Sequence, residues 1–390
     1  MIYLDYAATT PLDERAEEAM RPFARTVFGN PSSLHQSGQQ ARAALDAARD
    51  HVAEILGAQA EEIIFTGSGT EADNLAVLGA ARALRGRGAH IITTAIEHHA
   101  VLSSCRLLER EGFRVSYLQP DTEGRIHPQQ VAQAVTAETC LVSVMAANNE
   151  VGTIQPITEI GQLCRARHIV VHTDAVQAAG ELPLRVADLS VDLLSIASHK
   201  VYGPKGVGAL YVRRGTRLQP LIVGGGQEYE RRAGTENVAG IVGFATALAQ
   251  AHQHEETARM RTLRDRLIAG CLAIPDSRLH GSLAQRLANN VNVGFAGVSG
   301  ETLLVALDLA GIAASTGAAC AAGALEPSHV LQAMGYALTR AQEAVRFSLG
   351  RETTSEEIDT TIAVLGDLVT RLRRHRLTPP TPPGGCSTDA

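Results

Sequence analysis

The sequence predicts an α/β fold: a mostly parallel sheet with helices on both faces, followed by a smaller α+β domain. Five short apolar runs lie at residues 63–65, 90–93, 141–144, 169–172 and 193–196. Short runs that are apolar throughout are typical of strands buried on both faces. Helical patterns such as 71–85 and 157–167 separate these runs. This alternation of strands and helices indicates parallel α/β architecture.

The length and the composition predict a division into two domains. The chain has 390 residues, enough for two domains with a large core. A long helical pattern at about 239–269 looks like the bridge between them. We expect a large domain over 14–255 and a small domain formed by 1–13 and 256–376. The Pro- and Gly-rich residues 377–390 should form a disordered tail.

The charge and hydropathy of the chain argue against several function classes. The formal net charge is −6, which argues against general nucleic-acid binding. The basic run at 371–376 is interpreted as a solvated helix end. No apolar stretch is long enough to cross a membrane, and residues 1–5 lack the pattern of a signal peptide. We therefore expect a cytoplasmic protein without a membrane partner.

The cysteines are widely dispersed, and no two show the CxxC spacing. This pattern argues against a zinc site and against a disulfide scaffold, so we expect no metal. The six cysteines are Cys105, Cys140, Cys164, Cys271, Cys320 and Cys386.

Lysine is nearly absent from the chain. The sequence holds 33 arginines and two lysines, Lys200 and Lys205, both within the segment 198–206. Arg cannot lose its proton in a protein, whereas a neutral lysine amine forms Schiff bases with aldehydes. The composition therefore indicates a lysine retained for amine chemistry. The alternative is a base-composition bias that left two lysines by chance.

A glycine-rich turn follows the first predicted strand of the sheet. The segment GSGTE at 67–71 leads into a helical pattern, with Gly69 and Thr70 at its start. Free backbone N–H groups and the helix dipole at such a position suit a phosphate group. A simple helix cap at Thr70 is the alternative. The turn is not a P-loop, because the Gly-Lys-Ser/Thr ending is missing.

Two further predicted strand ends carry an acid and an amine. Asp174 and Gln177 follow the run at 169–172, and Ser198, His199 and Lys200 follow the run at 193–196. An Asp that merely caps a turn is the alternative for the first of these. Pyridoxal phosphate (PLP) needs a Schiff-base lysine, an acid on its pyridine nitrogen and a phosphate cradle. Together with the glycine-rich turn, these two strand ends predict a PLP site.

Lys200 is a better Schiff-base candidate than Lys205. Lys200 directly follows a strand end, where ligands of α/β sheets bind, whereas Lys205 lies in a Pro-Lys-Gly turn. His98 follows another predicted strand, and its imidazole could stack on the pyridine ring. Asn149 follows the strand at 141–144 and offers an amide. Arg346 is flanked by apolar residues in a β-like segment, which indicates an anionic partner such as a substrate carboxylate.

Cys320 differs from the other cysteines in its surroundings. It lies in the segment STGAACAAGA at 315–324, which has only small side chains and a glycine on each side of the cysteine. Such a segment packs poorly and can move. A small buried thiol in an Ala-rich helix is the alternative interpretation.

Eight motifs are distributed over the chain up to about residue 351: YLDYAATTP at 3–11, GNPSS at 29–33, GSGTEADN at 67–74, NNEVG at 148–152, HTDAVQ at 172–177, SHK at 198–200, RAGTEN at 232–237 and RFSLG at 346–350. In combination, these motifs resemble those of one known family, the cysteine desulfurases of the housekeeping iron–sulfur-cluster and nitrogen-fixation type.

The resemblance implies a homodimeric PLP enzyme of fold type I. Members of this family remove sulfur from L-cysteine as a persulfide, release L-alanine and pass the sulfur to an acceptor, such as a scaffold protein for iron–sulfur clusters. By resemblance, Cys320 is the sulfur acceptor, on a mobile loop over 316–326 carried by the small domain. The sequence does not identify the final acceptor, which could belong to a cluster, thiolation or cofactor pathway.

The resemblance also implies a role for each residue that binds the cofactor or the substrate. By resemblance, Lys200 forms the Schiff base, Asp174 holds the pyridine nitrogen and Gln177 bonds the ring hydroxyl. His98 stacks on the ring and serves as acid or base for the thiol proton, while Gly69 and Thr70 hold the phosphate. Asn149 and Arg346 hold the substrate carboxylate, and Thr235 reaches the phosphate of the partner subunit.

One position departs from the family pattern. The family usually has Ser three residues before the lysine, bonded to the phosphate, whereas this chain has Ala197 there and Ser198 next to it. Either Ser198 replaces the missing hydroxyl or that hydrogen bond is lost.

Two alternatives of a different class stay open at this point. The first is another fold type I PLP enzyme, such as an aminotransferase or a selenocysteine lyase, but an aminotransferase does not need Cys320. The second is a non-catalytic scaffold subunit. The presence of Lys200, Asp174 and Cys320 together argues against it.

Overall fold

The computed structural model describes residues 1–251, 254–316 and 327–377. The strands are β1 Ile2–Tyr3, β2 Ile63–Thr66, β3 His90–Thr94, β4 Arg114–Leu118, β5 Thr139–Ser143, β6 Val170–Asp174, β7 Leu193–Ala197, β8 Gly208–Val212, β9 Ser277–Leu279, β10 Asn290–Phe295, β11 Ile312–Ala313 and β12 Ala344–Ser348.

The helices alternate with these strands. The α-helices are α1 Glu14–Arg25, α2 Gln36–Leu56, α3 Gly69–Asn74, α4 Ala80–Leu84, α5 His99–Arg110, α6 Pro128–Ala134, α7 Ile157–Arg165, α8 Val186–Leu189, α9 Val238–Ala251, α10 His254–Leu272, α11 Gly300–Leu309, α12 His329–Ala333, α13 Leu338–Ala341 and α14 Ser355–Leu377. A π-helical segment, Leu75–Gly79, joins α3 to α4, and short 3-10 turns lie at Ala60–Glu62, Ser198–Lys200 and Gln227–Glu230.

Seven strands form the main sheet, in the order β2-β8-β7-β6-β5-β3-β4. All five predicted strands are present as β2, β3, β5, β6 and β7, with ends shifted by a few residues at most. The pairings are parallel except those of β8, which runs antiparallel to both β2 and β7. The prediction of a mostly parallel α/β sheet is therefore confirmed.

The sequence analysis did not identify β4 and β8. Strand β4 lies at the edge of the sheet and is only partly buried, so its residues do not form a continuous apolar run. Strand β8 is buried throughout, but it follows directly on a glycine-rich turn. The helical pattern predicted at 239–269 corresponds to α9 and α10, with residues 252–253 between them outside the described residues.

The sheet is buried on both faces, which explains its apolar strands. One cluster includes Leu45 and Val52 of α2 with Phe244 of α9, all fully buried. A second cluster joins Ala76 and Val101 on other elements that cover the sheet. Layers of helix, sheet and helix bury the apolar side chains and leave the carboxyl ends of the parallel strands open at one edge.

A second region of the chain has its own sheet and its own apolar core. Strands β12, β10 and β9 form an antiparallel sheet, and β1 pairs in parallel with β11. Leu4, next to β1, packs in a core cluster whose other members lie in residues 263–369. The N-terminal segment thus packs with the C-terminal part of the chain. The division into two domains stays a prediction. Within the described ranges, no helix has both the length and the hydropathy needed to cross a membrane.

Candidate functional site

The carboxyl ends of the parallel strands open into one cavity of about 390 Å³. That volume suits a small cofactor with a substrate. Nine residues predicted from the sequence lie on its wall, although they are spread from 69 to 346. They are Gly69, Thr70, His98, Asn149, Asp174, Gln177, His199, Lys200 and Arg346.

Lys200 ends the 3-10 turn that follows β7, and this turn directs its side chain into the cavity. Its Nζ donates hydrogen bonds to the carbonyl oxygens of Ala7 and Ala8, at 2.6 and 2.7 Å. These bonds hold the amine at a fixed position beside the cavity. Lys205, in contrast, is exposed on the following turn.

Asp174 is the last residue of β6 and is 6% exposed. Burial raises the pKa of Asp174 to about 6, while the Val176 N–H bond at 2.9 Å and the charge of Lys200 act in the opposite direction. A second buried carboxyl, that of Asp73, lies beside it. One carboxylate oxygen of each and one ring nitrogen of His98 all lie within 4.8 Å of one another.

His98 caps the N-terminus of α5, where its Nδ1 accepts a hydrogen bond from the N–H of Ala100 at 3.2 Å. Burial, followed by the charge of Lys200, lowers the pKa of His98 to about 4. The ring is therefore neutral at physiological pH. Since Nδ1 accepts a bond, the remaining proton lies on Nε2.

Gly69 and Thr70 begin α3 on the cavity wall. Ser68 caps this helix by accepting a bond from the N–H of Glu71 at 3.1 Å. A Cβ added at Gly69 would lie 2.9 Å from Val176 and 3.1 Å from Ala197, too close for a side chain. The glycine thus lets the start of the helix approach the ends of β6 and β7.

Arg346 lies on β12, across the cavity from the main sheet. Its Nη1 donates to the carbonyl oxygen of Asn149 at 2.8 Å, and its Nη2 donates to Asp5 Oδ1 at 2.8 Å. The Nε of Arg346 and the Oδ1 of Asn149 are buried without a hydrogen-bond partner in the described structure. Two unsatisfied polar atoms of opposite hydrogen-bonding type indicate that a polar ligand completes this end of the cavity.

The N-terminal segment covers the cavity from one side. Gln177 Nε2 donates to the carbonyl oxygen of Ala7 at 3.0 Å, and a ring nitrogen of His199 lies 3.2 Å from the hydroxyl of Thr9. Burial, followed by the charge of Lys200, lowers the pKa of His199 to about 4. The first ten residues therefore help to position the amine and amide groups of the site.

Two described site residues predicted from the sequence, Ser198 and Thr235, do not lie on the wall of this cavity. Ser198 is fully buried, and its Oγ has no hydrogen-bond partner in the described structure. Thr235 is exposed on the surface of the chain. Cys320 lies outside the described residues, as do the expected loop from residue 317 onward and the tail from residue 378. The roles of these three side chains, like those of the nine residues on the cavity wall, stay predictions.

The four cysteines within the described residues are buried, so none of them presents a thiol to solvent. Burial raises the pKa of Cys105, Cys164 and Cys271 to about 12 each, and it also raises the pKa of Cys140. A cysteine nucleophile reacts as its thiolate. These four thiols are therefore poorly suited to act as nucleophiles at neutral pH.

Sequence reasoning missed two carboxyl groups of the site, those of Asp5 and Asp73. Each lies within a motif that the analysis used, at 3–11 and 67–74. The local signal at Asp73 is its acidic side chain on the buried side of α3, next to the buried Ala72. Asp5 carries no such signal, because its partner Arg346 is 341 residues away in the chain.

Comparison with known proteins is consistent with this geometry. Residues 2–361 match the family model of the class-V aminotransferases, described as "Aminotransferase class-V". The chain is 49% identical over 375 residues to "Cysteine desulfurase IscS" of Dictyoglomus turgidum, which covers 95% of each protein. It is 50% identical over 383 residues to the protein of the same name from Methanosarcina thermophila. That alignment covers 98% of this chain and 94% of the relative.

Solved structures show the same fold. A structure described as "NIFS-LIKE PROTEIN" superposes with a TM-score of 0.90 at 38% identity and covers 95% of this chain and 99% of that one. A structure described as "SspA in complex with cysteine" superposes with a TM-score of 0.82 at 37% identity and covers 91% of this chain and all of that one.

Proposed function

Since the chain belongs to the aminotransferase class-V family and is a cysteine desulfurase, we propose that its strand-end cavity holds PLP and binds L-cysteine beside Lys200. The fold is that of the fold type I PLP enzymes, with a mostly parallel sheet. One observation carries the proposal. Lys200 and Asp174, from the ends of adjacent strands β7 and β6, line the same cavity.

The residues present fit PLP. Lys200 offers an amine for the aldehyde, Asp174 a buried carboxyl for the ring nitrogen, and Gln177 an amide for the ring hydroxyl. Gly69 and Thr70 offer the start of a helix to the phosphate, at a place where a Cβ would be too close to Val176. When bound, PLP supplies an electron sink that stabilises negative charge at the substrate Cα.

Arg346 and Asn149 bind and orient the substrate. Arg346 presents its guanidinium to the cavity, and a substrate carboxylate can accept from its unpartnered Nε. Asn149 holds Arg346 through its carbonyl oxygen and keeps its side-chain oxygen for the ligand. With the carboxylate fixed at this end, the substrate Cα lies on the Lys200 side of the cavity.

The surroundings of Lys200 and His98 determine how these two side chains are protonated. The Lys200 amine would remove the α-proton of the substrate onto its Nζ. The carbonyl oxygens of Ala7 and Ala8 are placed to accept hydrogen bonds from the ammonium that results. His98 is neutral and carries its proton on Nε2, so it would stack on a bound ring without adding positive charge.

Cys320 is the proposed sulfur acceptor. Its thiolate attacks the sulfur of the substrate, the Cβ–S bond breaks, and the sulfur remains as a persulfide on Cys320 while the organic product leaves as L-alanine. Four of the other five cysteines are buried thiols, which supports assigning this step to a cysteine elsewhere in the chain.

The partners follow from the same proposal. We propose a homodimer in which the exposed Thr235 reaches the phosphate bound to the partner subunit, and a cytoplasmic location. We further propose that a sulfur-acceptor or iron–sulfur scaffold protein takes the persulfide sulfur. Transfer assays with radiolabelled cysteine and purified candidate proteins would identify that acceptor.

The activity is tested by product analysis. Purified protein with PLP, L-cysteine and a reductant should give alanine and sulfide in equal amounts. Formation of a keto acid instead of alanine would make the protein an aminotransferase. Turnover of L-selenocysteine without turnover of L-cysteine would make it a selenocysteine lyase.

A further inference from the structure

Asp73 is a buried carboxyl group to which the proposed function assigns no role. It lies in the last turn of α3, where Asn74 separates it from the π-helical segment Leu75–Gly79, and its side chain points toward the sheet. It is 1% exposed and lines the same cavity as Asp174. π-helical turns within α-helices occur frequently at functional sites.

The two carboxyl groups have unequal support for a negative charge. Asp174 accepts a hydrogen bond from the N–H of Val176 and is attracted by the charge of Lys200. Asp73 Oδ1, in contrast, has no hydrogen-bond partner in the described structure, and the nearby His172 Nε2 is 3.6 Å away. The Ser195 hydroxyl lowers the pKa of Asp73, but it is a neutral donor and its effect is smaller than the effects of burial and of the Asp174 charge. A buried carboxylate oxygen without a donor strongly disfavours ionisation.

The groups around Asp73 supply no positive charge. His172 is fully buried, and burial lowers its pKa to about 3, so it is neutral. Its ring nitrogens lie 2.8 Å from Ser143 Oγ on β5 and 3.0 Å from Ser195 Oγ on β7. The His172 ring is thus held between hydroxyl groups on the two strands that flank β6. This neutral ring cannot stabilise a negative charge on Asp73 as a cation would.

The other titratable groups near Asp73 do not neutralise it either. Glu97 lies in the loop before α5, and burial raises its pKa to about 8, so it is mostly neutral at pH 7. His98, at the start of α5, is neutral. Lys200 is the nearby cation, and it acts on Asp174. Burial and the charge of Asp174 raise the pKa of Asp73 well above its usual value.

We propose that Asp73 is a positioning residue that holds the single proton of an Asp73–Asp174 carboxyl pair, so that the negative charge rests on Asp174, facing the ring nitrogen of PLP. The inference rests on the proposed function, because it takes Asp174 as the partner of the ring. Two adjacent buried carboxyl groups do not both ionise, and unequal surroundings decide which of them keeps the proton.

The direct test is isotope-edited infrared spectroscopy of the PLP-bound enzyme at about pH 8, above the pKa of Asp174. Labelling aspartate with ¹³C in its side-chain carboxyl separates its bands from those of protonated glutamic acids such as Glu97. We expect one band of a protonated aspartic acid in the wild-type enzyme. Absence of any such band would overturn the proposal without any variant having to fold.

Asp73→Asn and Asp174→Asn form a matched pair that identifies the proton carrier. The band should be lost in Asp73→Asn and persist in Asp174→Asn. The reverse pattern would mean that Asp174 holds the proton, and the proposal would be wrong.

The dissociation constant of PLP gives a second, independent measurement on the same variants. Asn resembles a neutral carboxylic acid, so Asp73→Asn should raise this constant by no more than about threefold, whereas Asp174→Asn should raise it about a hundredfold. Equal losses of affinity in both variants would make Asp73 an ionised partner of the cofactor. Unchanged affinity in Asp174→Asn would instead overturn the placement of PLP itself.

Discussion

Arg346 donates a hydrogen bond of 2.8 Å from its Nη2 to Oδ1 of Asp5, joining residues from opposite ends of the chain. The Arg346 side chain is only 4% exposed, so the pair is largely shielded from water. Asp5 follows β1, and Arg346 lies in β12. The ion pair therefore fixes the guanidinium on the wall of the strand-end cavity before any substrate binds.

Arg346→Lys should raise the KM for L-cysteine about tenfold to a hundredfold. An ammonium group cannot hold Asp5, the carbonyl of Asn149 and a substrate carboxylate in one planar arrangement. Steady-state kinetics with alanine detection measures the change. Arg340→Lys is the control, because Arg340 is exposed and pairs with Glu343 on the surface. A KM unchanged in the Arg346 variant would remove this residue from substrate binding.

Lys200→Arg should abolish desulfuration and leave the fold intact, since Arg cannot form a Schiff base. Lys205→Arg serves as the matched control and should remain active, because Lys205 is exposed on a turn. Borohydride treatment of the wild-type enzyme followed by peptide mapping should place the reduced cofactor on Lys200. Recovery of the label on Lys205 would show that the assignment is wrong.

Cys320→Ala should lower alanine and sulfide production by at least about a hundredfold while PLP binding stays normal. Only the carbon–sulfur bond cleavage needs the thiol nucleophile. Cys271→Ala is the comparison, since Cys271 is fully buried and its pKa is raised to about 12. Alanine formation at the normal rate in Cys320→Ala would rule out the proposed acceptor.

His98 should titrate with a midpoint near pH 4 in the PLP-free protein. Burial and the charge of Lys200 disfavour its protonated form, so the folded state binds this proton less readily than the unfolded chain does. His98 therefore contributes stability above the usual histidine pKa of about 6.5, and this contribution is lost as the pH falls toward about 4. NMR of the imidazole C–H groups measures the midpoint, with His98→Gln for assignment. A midpoint near 6.5 would show that the ring is exposed to solvent.

Much of the fold could be predicted because local patterns encode it. The apolar runs that became β2, β3, β5, β6 and β7 are buried on both faces, so their composition alone identifies them. The edge strand β4 could not be predicted in this way, because its partly exposed residues do not form a continuous apolar run. The antiparallel direction of β8 depends on its neighbours β2 and β7 and leaves no mark in the sequence.

The sequence by itself determined which chemical groups could meet, because the carboxyl ends of parallel strands share one edge of a sheet. Lys200, Asp174 and Gly69 were identified in this way. The tertiary structure alone decided how those groups are charged and held. The pairing of Asp73 with Asp174 and that of Asp5 with Arg346 join distant elements. Burial, which sets the protonation of His98 and of the carboxyl pair, exists only after the chain has folded.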